Sequence, residues 1–399
     1  MDVAASPRGP DGRDWQERGL GMRLRVATFN VENLIARHRF GTTPRFETAA
    51  AMSLFDFPSK EHREAVERSV AVALEDDKRQ MTALAIAEAH ADILCLQEVD
   101  SLSVLEAFFA NYVHRLADKR YGHFRLKHGN DVRGIDVACA LRRDLVSGSG
   151  AVRATSHASL TFRDLDVFDD DLAAMGRLET DRVFQRDCLM VDIDLGEATL
   201  TLFVCHFKSM SNGREDGRVA TLPLRRAEAR AVRRLVEARF GPAVAEANWL
   251  VVGDLNGCEE TIGPGARVIP EGESGLEPLT HGFAVNPLAA LPAHERWTHF
   301  RRAWSEREGR IVERHMQLDY ILLSPALAAA NPAPGVEIVR RGLPYRVPLD
   351  PRQENRSLAA LATSGDRYPR VGWDRPKASD HCPLVVELDL PTRRNPPQA

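Results

Sequence analysis

The chain is 399 residues long, 44% hydrophobic and 28% charged, with a formal net charge of −4. That is ample for a substantial core and ordinary for a globular protein. The acidic balance argues against a protein that coats nucleic acid electrostatically, which carries a basic surplus. It leaves a phosphate substrate open, because a metal ion and a local basic patch supply that attraction.

Residues 1–22 are rich in Pro, Gly, Asp and Arg and lack the apolar core of a signal peptide. A disordered extension is expected there, ahead of one large catalytic unit over 23–391 and a polar tail over 392–399. No run approaches the apolar length of a membrane span. Cys95, Cys139, Cys188, Cys205, Cys258 and Cys382 show no C-x-x-C spacing, and four of them lie inside apolar runs. They read as reduced thiols of a cytoplasmic protein; a secreted enzyme with one or two disulfides is the alternative.

Ordered structure is expected from Leu24, where LRVATF forms a short strand ending at Asn30. Residues 37–60 are rich in turn formers. From Glu61 to His90 the apolar spacing of three to four predicts a helix, which feeds the buried strand ILCLQEV. IDVACAL is a further strand, and CLMVDIDL and ATLTLFVCHF flank a Gly-Glu turn as a hairpin. A basic amphipathic helix follows over 224–240, with Leu224, Ala227, Ala231, Leu235 and Val236 on its apolar face. NWLVVGDLN repeats the step from helix to strand to loop, and QLDYILLS and PLVVELDL are the last strands. Residues 257–292 and 331–376 carry little helix or strand signal and read as functional or mobile loops.

Several apolar strands end in polar or ionisable residues: ATF in Asn30, ILCLQ in Glu98, LFVC in His206, LVVG in Asp254 and Asn256. The loop before PLVVEL carries Asp380 and His381. Ligands of layered α/β proteins gather at one set of strand ends. If these ends converge, the carboxylates repel one another unless protonated or bound to a cation. Carboxylate and amide oxygens suit Mg²⁺ or Mn²⁺ rather than structural zinc.

T-F-N-V-E-N-L at Asn30, C-L-Q-E-V at Glu98, C-H-F-K-S at His206, G-D-L-N at Asp254 and Asn256, L-D-Y-I-L at Asp319 and S-D-H-C-P-L at Asp380 and His381 together resemble the ordered motifs of the endonuclease/exonuclease/phosphatase superfamily, in its bacterial nuclease-like branch. The resemblance implies a four-layer α/β sandwich, two mixed β-sheets packed face to face with helices on the outside. It implies Glu98 as principal metal ligand, with Asn30 and Asp380 beside it, and Mg²⁺ or Mn²⁺ as the cofactor. Asp254 would position or deprotonate the attacking water, and Asn256 would bind phosphate or orient that water. His381, held by Asp319, would act as acid-base or electrostatic stabiliser, and His206 would hydrogen-bond a non-bridging oxygen. The expected activity is phosphodiester hydrolysis by a monomer, with nucleic acid or another phosphate ester as partner. A phosphomonoesterase, a lipid-headgroup or inositol-phosphate phosphoesterase, and a catalytically silent binding module are the alternatives.

Each residue also has a bland reading. Asn30 alone is a turn residue, Glu98 and Asp254 stand where solvent often begins, and Asp380 and His381 suit a helix cap and a surface imidazole. His206 suits a satisfied core histidine, whereas Asp319 at the start of an apolar strand is buried only if paired. Seven such coincidences in family order favour the functional reading. Arg133 and Lys208 are weaker candidates for phosphate contact, and Asp136 a weaker polar one. Glu32 falls outside the core set. The arginines of 224–240 read as a solvated face, and Trp297, Trp304 and Trp373 more often fold inward than stack on bases.

Overall fold

Alternating burial along the apolar runs sorts their side chains onto two faces, as the two-residue period of a strand requires. The computed structural model describes residues 21–35, 52–53, 56–118, 120–146, 151–210, 217–305, 308–352, 367–393 and 395–396. Its strands are β1 (Met22–Leu34), β2 (Ile93–Val99), β3 (Tyr121–Leu126), β4 (Asp136–Arg142), β5 (Val152–Thr155), β6 (Cys188–Asp194), β7 (Thr199–His206), β8 (Trp249–Asp254), β9 (Glu260–Gly263), β10 (Arg267–Pro270), β11 (His299–Ser305), β12 (Arg310–Met316), β13 (Asp319–Leu323), β14 (Gly335–Ile338) and β15 (Leu384–Leu390). One sheet runs β14-β15-β1-β2-β4-β3 and a second runs β13-β8-β7-β6-β5. Both are mixed: β1 and β2, like β7 and β8, are parallel, and the other pairs are antiparallel.

The inward faces of the two sheets share one core. Val26, Cys95, Cys139 and Val386 meet Leu202, Val204, Leu250, Val252 and Ile321 there. The opposite faces take the helices. Phe29, Leu96 and Ala138 pack with Ile86 of the helix Lys60–Ala89 and with Phe109. Phe203, Trp249 and Val251 pack with Leu224, Val232 and Val236 of the helix Leu222–Phe240. This is the four-layer α/β sandwich expected, with both long helices where the apolar spacing put them.

Several strands depart from the expectations. Residues 257–292 hold β9, β10 and short helices, and β9, β10, β12 and β11 form a third sheet in the order β10-β9-β12-β11. β9 and β10 are only four residues each and meet around Gly263 and Pro264, too short for a periodic signal. β11 and β12, HFRRAWS and RIVERHM, are dominated by charge and show no clean alternation. β3 and β14 are edge strands, whose side chains need not be apolar. Residues 1–20 of the expected extension, much of the loop 37–60, and 353–366 of the loop 331–376 lie outside the described residues. Of the polar tail, Asn395 docks on β8: its Oδ1 accepts from the Asn248 amide at 2.8 Å and its Nδ2 donates to the Asn248 carbonyl at 2.8 Å.

Gly253 sets the spacing of β7 and β8. Its φ is 144°, and a Cβ there would lie 1.9 Å from the Cys205 carbonyl oxygen. Gly253→Ala is expected to cost on the order of 3 kcal/mol or more, read as a fall in the thermal unfolding midpoint. An unchanged midpoint would show that the two strands separate freely at this position.

Candidate active site

The inward-facing series of three adjacent strands ends in ionisable side chains. Leu202 and Val204 lead to His206, Leu250 and Val252 to Asp254, and Leu323 and Ile321 back to Asp319. The register pairs His206 with Asp254 and Asp254 with Asp319, so the three stand side by side where the apolar core stops. Asn30 ends the same series on the other sheet, and its Nδ2 donates to Asp254 Oδ2 at 3.1 Å, joining the two sheets. These four are 3% exposed or less.

His381 closes the row. Its Nδ1 lies 2.8 Å from Asp319 Oδ2, and its Nε2 lies 3.7 Å from Asp254 Oδ2. His206 Nε2 approaches the same oxygen at 3.5 Å. Ser379 Oγ donates to the Asn30 carbonyl at 2.7 Å and accepts the His381 amide at 3.1 Å, fixing the loop that carries Asp380 and His381. Thr298 Oγ1 accepts the Leu318 and Asp319 amides, each at 3.1 Å. Asp254 Oδ1 accepts the Asn256 amide at 3.0 Å, and Asn256 Nδ2 donates to the Phe207 carbonyl at 3.1 Å.

Glu98 reaches the site through a break in regular structure. Counting by twos from Ile93 and Cys95 would aim it at the helical layer. The β2–β4 register shifts between Gln97 and Val99, however, and Glu98 has φ 67°. Glu32, Asn33 and Asn256 also have positive φ, at 51°, 65° and 50°. Backbone of this kind in residues other than glycine concentrates where function positions a side chain.

The electrostatics follow from burial and from neighbours. Burial pushes the Asp254 carboxyl up to about 7; His381 lowers it and Asp319 raises it. His381 is lifted well above the ordinary imidazole range, because the carboxylates of Asp319, Asp254 and Asp380 outweigh the opposing effect of burial. Asp254 and His381 thus compete for one proton. Burial and the Asp380 carboxylate raise Glu98. Asp380 is itself held below its ordinary range, because Lys377, His381, His299 and Lys78 outweigh its burial. Burial, then Arg186 and His381, push His206 far down, so it is a neutral imidazole at physiological pH.

The oxygen-rich set of Asn30, Glu98 and Asp380 fits a hard divalent cation. Burial and the Asp380 charge together disfavour ionised Glu98, the strain that a bound cation relieves. Asp254, Asp319 and His381 also bring ligand atoms within 4.8 Å of one another. Two of those atoms are already joined by the 2.8 Å contact between His381 and Asp319. Asp319 Oδ1, His206 Nδ1 and His299 Nδ1 are buried without a hydrogen-bond partner among the described residues.

On the side of Glu98 and His206 stand three cations. Asp131 grips Arg133 through both carboxylate oxygens, at 3.1 and 3.0 Å, and takes Arg186 at 3.0 Å. Arg186 is 5% exposed and also donates to the Phe207 carbonyl at 3.0 Å. Lys208 is half-buried, and its backbone amide donates to Glu228 at 2.6 Å. Glu228, fully buried and pushed up to about 7 by burial, anchors the end of β7 from the helix Leu222–Phe240. Asp136 turns instead to His128 Nδ1 and the Gly129 amide, at 2.9 and 2.8 Å.

The helix arginines are not a free basic face. Arg226 and Arg230 pair with Asp169, Arg233 with Glu237 at 2.9 Å, and Arg239 with Asp192 at 3.3 Å. Arg225 is fully buried against Thr221 Oγ1 and the Arg218 carbonyl. Trp297 folds inward at 1% exposed, whereas Trp304 and Trp373 are 56% and 52% exposed. The structure adds residues that sequence reasoning missed. His299 is half-buried, pushed down to about 3 by desolvation and by His381, with its ring 4.7 Å from that of His381. Arg186, Thr298, Lys377 and Ser379 join it. Arg186 precedes an apolar run much as the other site residues follow one, and Ser379 lies inside the S-D-H-C-P-L motif, both usable signals; His299, Thr298 and Lys377 had none.

A phosphoesterase site on a four-layer sandwich is the class of protein this geometry defines. The profile of the Endonuclease/Exonuclease/phosphatase family matches residues 27–381, and the chain belongs to that family. Members are metal-dependent phosphoesterases, and this chain is an enzyme of that kind. Among solved structures it is similar to truncated TDP2 of Caenorhabditis elegans, with 12% identity over 92% of this chain and 98% of that one and a TM-score of 0.46. It is similar to the AP endonuclease LMAP of Leishmania major, with 16% identity, 98% and 93% coverage and a TM-score of 0.46. It is also similar to an endonuclease/exonuclease/phosphatase family protein of Leptotrichia buccalis, with 9% identity, 92% and 100% coverage and a TM-score of 0.47. No curated protein matches the sequence significantly.

Asp254 has a testable linkage to stability. Its pKa rises from the ordinary 3.8 to about 7 on folding. The stability tied to the protonated form is therefore fully present below the unfolded value and lost as pH rises through about 7. Asp254→Asn should raise the melting temperature of the metal-free protein relative to wild type, by more at pH 8 than at pH 5. The difference is on the order of a few kcal/mol at most. An equal gap at both pH values would mean that Asp254 ionises in the fold without penalty.

Proposed function

We propose that the protein is a Mg²⁺- or Mn²⁺-dependent phosphodiesterase acting on nucleic acid. The observation that carries this is the buried row His206–Asp254–Asp319, closed by His381 and tied to the opposite sheet by Asn30. The cations Arg133, Arg186 and Lys208 beside it suit a polyanionic substrate despite the chain's negative net charge.

In this reading Asn30, Glu98 and Asp380 hold the cation, which supplies charge neutralisation at the phosphoryl oxygens. Asp254, with a pKa near neutrality, takes the proton of the attacking water. Its Oδ1 is oriented by the Asn256 amide and its Oδ2 by Asn30. Asp319 holds His381 in the tautomer with its proton on Nδ1 and favours the imidazolium, which faces the charge developing on phosphorus. His206, a neutral imidazole, donates to a non-bridging oxygen. Arg133 and Lys208 draw the substrate to the mouth. A cytoplasmic setting is supported by six free, buried cysteines. Among the described residues, no helix is long and apolar enough to cross a membrane.

Plasmid and single-stranded DNA incubated with Mg²⁺ or Mn²⁺, and separately with EDTA, test the reading. Cleavage should require metal and fall about 10²- to 10⁴-fold in Asp254→Asn and His381→Ala. Phosphate release from inositol phosphates or nucleotides, with no cleavage of DNA or RNA under any metal, would replace it with a phosphomonoesterase.

A further inference from the structure

β11 and β12 form a ribbon that leaves the site edge and runs mostly unsupported. β11 is the last strand of its sheet, and β12 pairs with β9 only through His315 and Met316. The ribbon starts at the catalytic end: His299 bridges His381 along the backbone, and the two rings lie 4.7 Å apart. Side chains of a strand return to one face every second residue, about 6.5 Å apart. Arg301 therefore shares the face on which His299 meets His381, one step further out. That separation is comparable to the distance between neighbouring phosphates of an extended nucleic-acid strand.

The charges around Arg301 are unbalanced. It is exposed and has neither hydrogen-bond nor ion-pair partner among the described residues. The residue directly opposite on β12 is Arg314, a like charge that destabilises the pair. Arg314 and Arg310 share the single carboxylate of Glu308, the latter at 2.7 Å, and Arg302 pairs with Glu313 at 3.6 Å. Arg301 alone among the described ribbon arginines has no acidic partner, and it lies on the face that His299 turns to His381. Its charge, with that of Lys377, acts on His299.

We infer that Arg301 binds the phosphate next to the one being cleaved, so that the site face of β11 reads a chain of phosphodiesters and favours it over a substrate with one phosphate. This rests on the nucleic-acid reading above. A substrate held at both phosphates is fixed in register against His381 and Asp254, which makes Arg301 a specificity-determining contact.

The experiment compares kcat/KM for a short single-stranded DNA oligonucleotide with kcat/KM for bis-p-nitrophenyl phosphate, a diester with one phosphate, in wild type, Arg301→Ala and Arg301→Lys. The ratio of the two should fall about tenfold in Arg301→Ala, mostly through KM, and recover largely in Arg301→Lys. The slope of log KM against log salt for the oligonucleotide should shrink by about 0.7 in Arg301→Ala, as for one lost phosphate contact. An unchanged ratio and slope, with wild type cleaving both substrates, would overturn the assignment of Arg301 alone. Wild type that hydrolyses the one-phosphate diester but no oligonucleotide would overturn the nucleic-acid reading and this inference with it.

Discussion

The site depends on one costly placement, the Asp254 carboxylate 1% exposed at the end of an apolar core. A buried carboxylate persists only where hydrogen bonds and charges answer it. Asn30, the Asn256 amide, His206 and His381 surround Asp254, and they come from both sheets and from the loop before β15. The two sheets are thus pinned together at their catalytic end by polar contacts, where elsewhere they meet through Val, Leu and Cys side chains. The same burial that strains the fold brings the Asp254 pKa to where a base works at neutral pH.

The surrounding charges are divided by side. Asp319, Asp254 and Asp380 lift His381 towards the imidazolium, while Arg186, His381, Arg133 and Lys208 help keep His206 neutral. Two imidazoles on either side of one carboxylate are therefore driven to different charge, His381 towards the imidazolium and His206 towards the neutral form. Lys377 and Lys78 clamp the Glu32 carboxylate, at 2.9 and 3.6 Å, and oppose the burial of Asp380. Glu32 therefore serves as their counter-ion beside the oxygen cluster.

Much of this was legible because the strand period is strict. Leu202, Val204 and His206, or Leu250, Val252 and Asp254, share a face by alternation alone, so an apolar run predicts where its terminal polar residue points. Glu98 breaks that rule. By alternation it belongs to the helical layer, and only the bulge at Gln97 and Val99 with its positive φ turns it to the site. Its place at the end of an apolar run and the motif resemblance, not alternation, identified it. The third sheet went unread because β9 and β10 are four residues long and β11 and β12 are rich in arginine, and His299 and Arg301 were lost with it.

The amino-acid sequence by itself determined the sandwich, its two long helices and the set of polar residues that close its strands, because apolar periodicity is local and the motifs occur in family order. Only the tertiary structure decided which of those residues share a proton, which arginines are spent on acidic neighbours and that Arg301 of the described β11–β12 ribbon is not. Ion pairing and burial join residues distant in the chain, such as Asn30 with Asp254 and Arg226 with Asp169, and no spacing along the sequence encodes those distances.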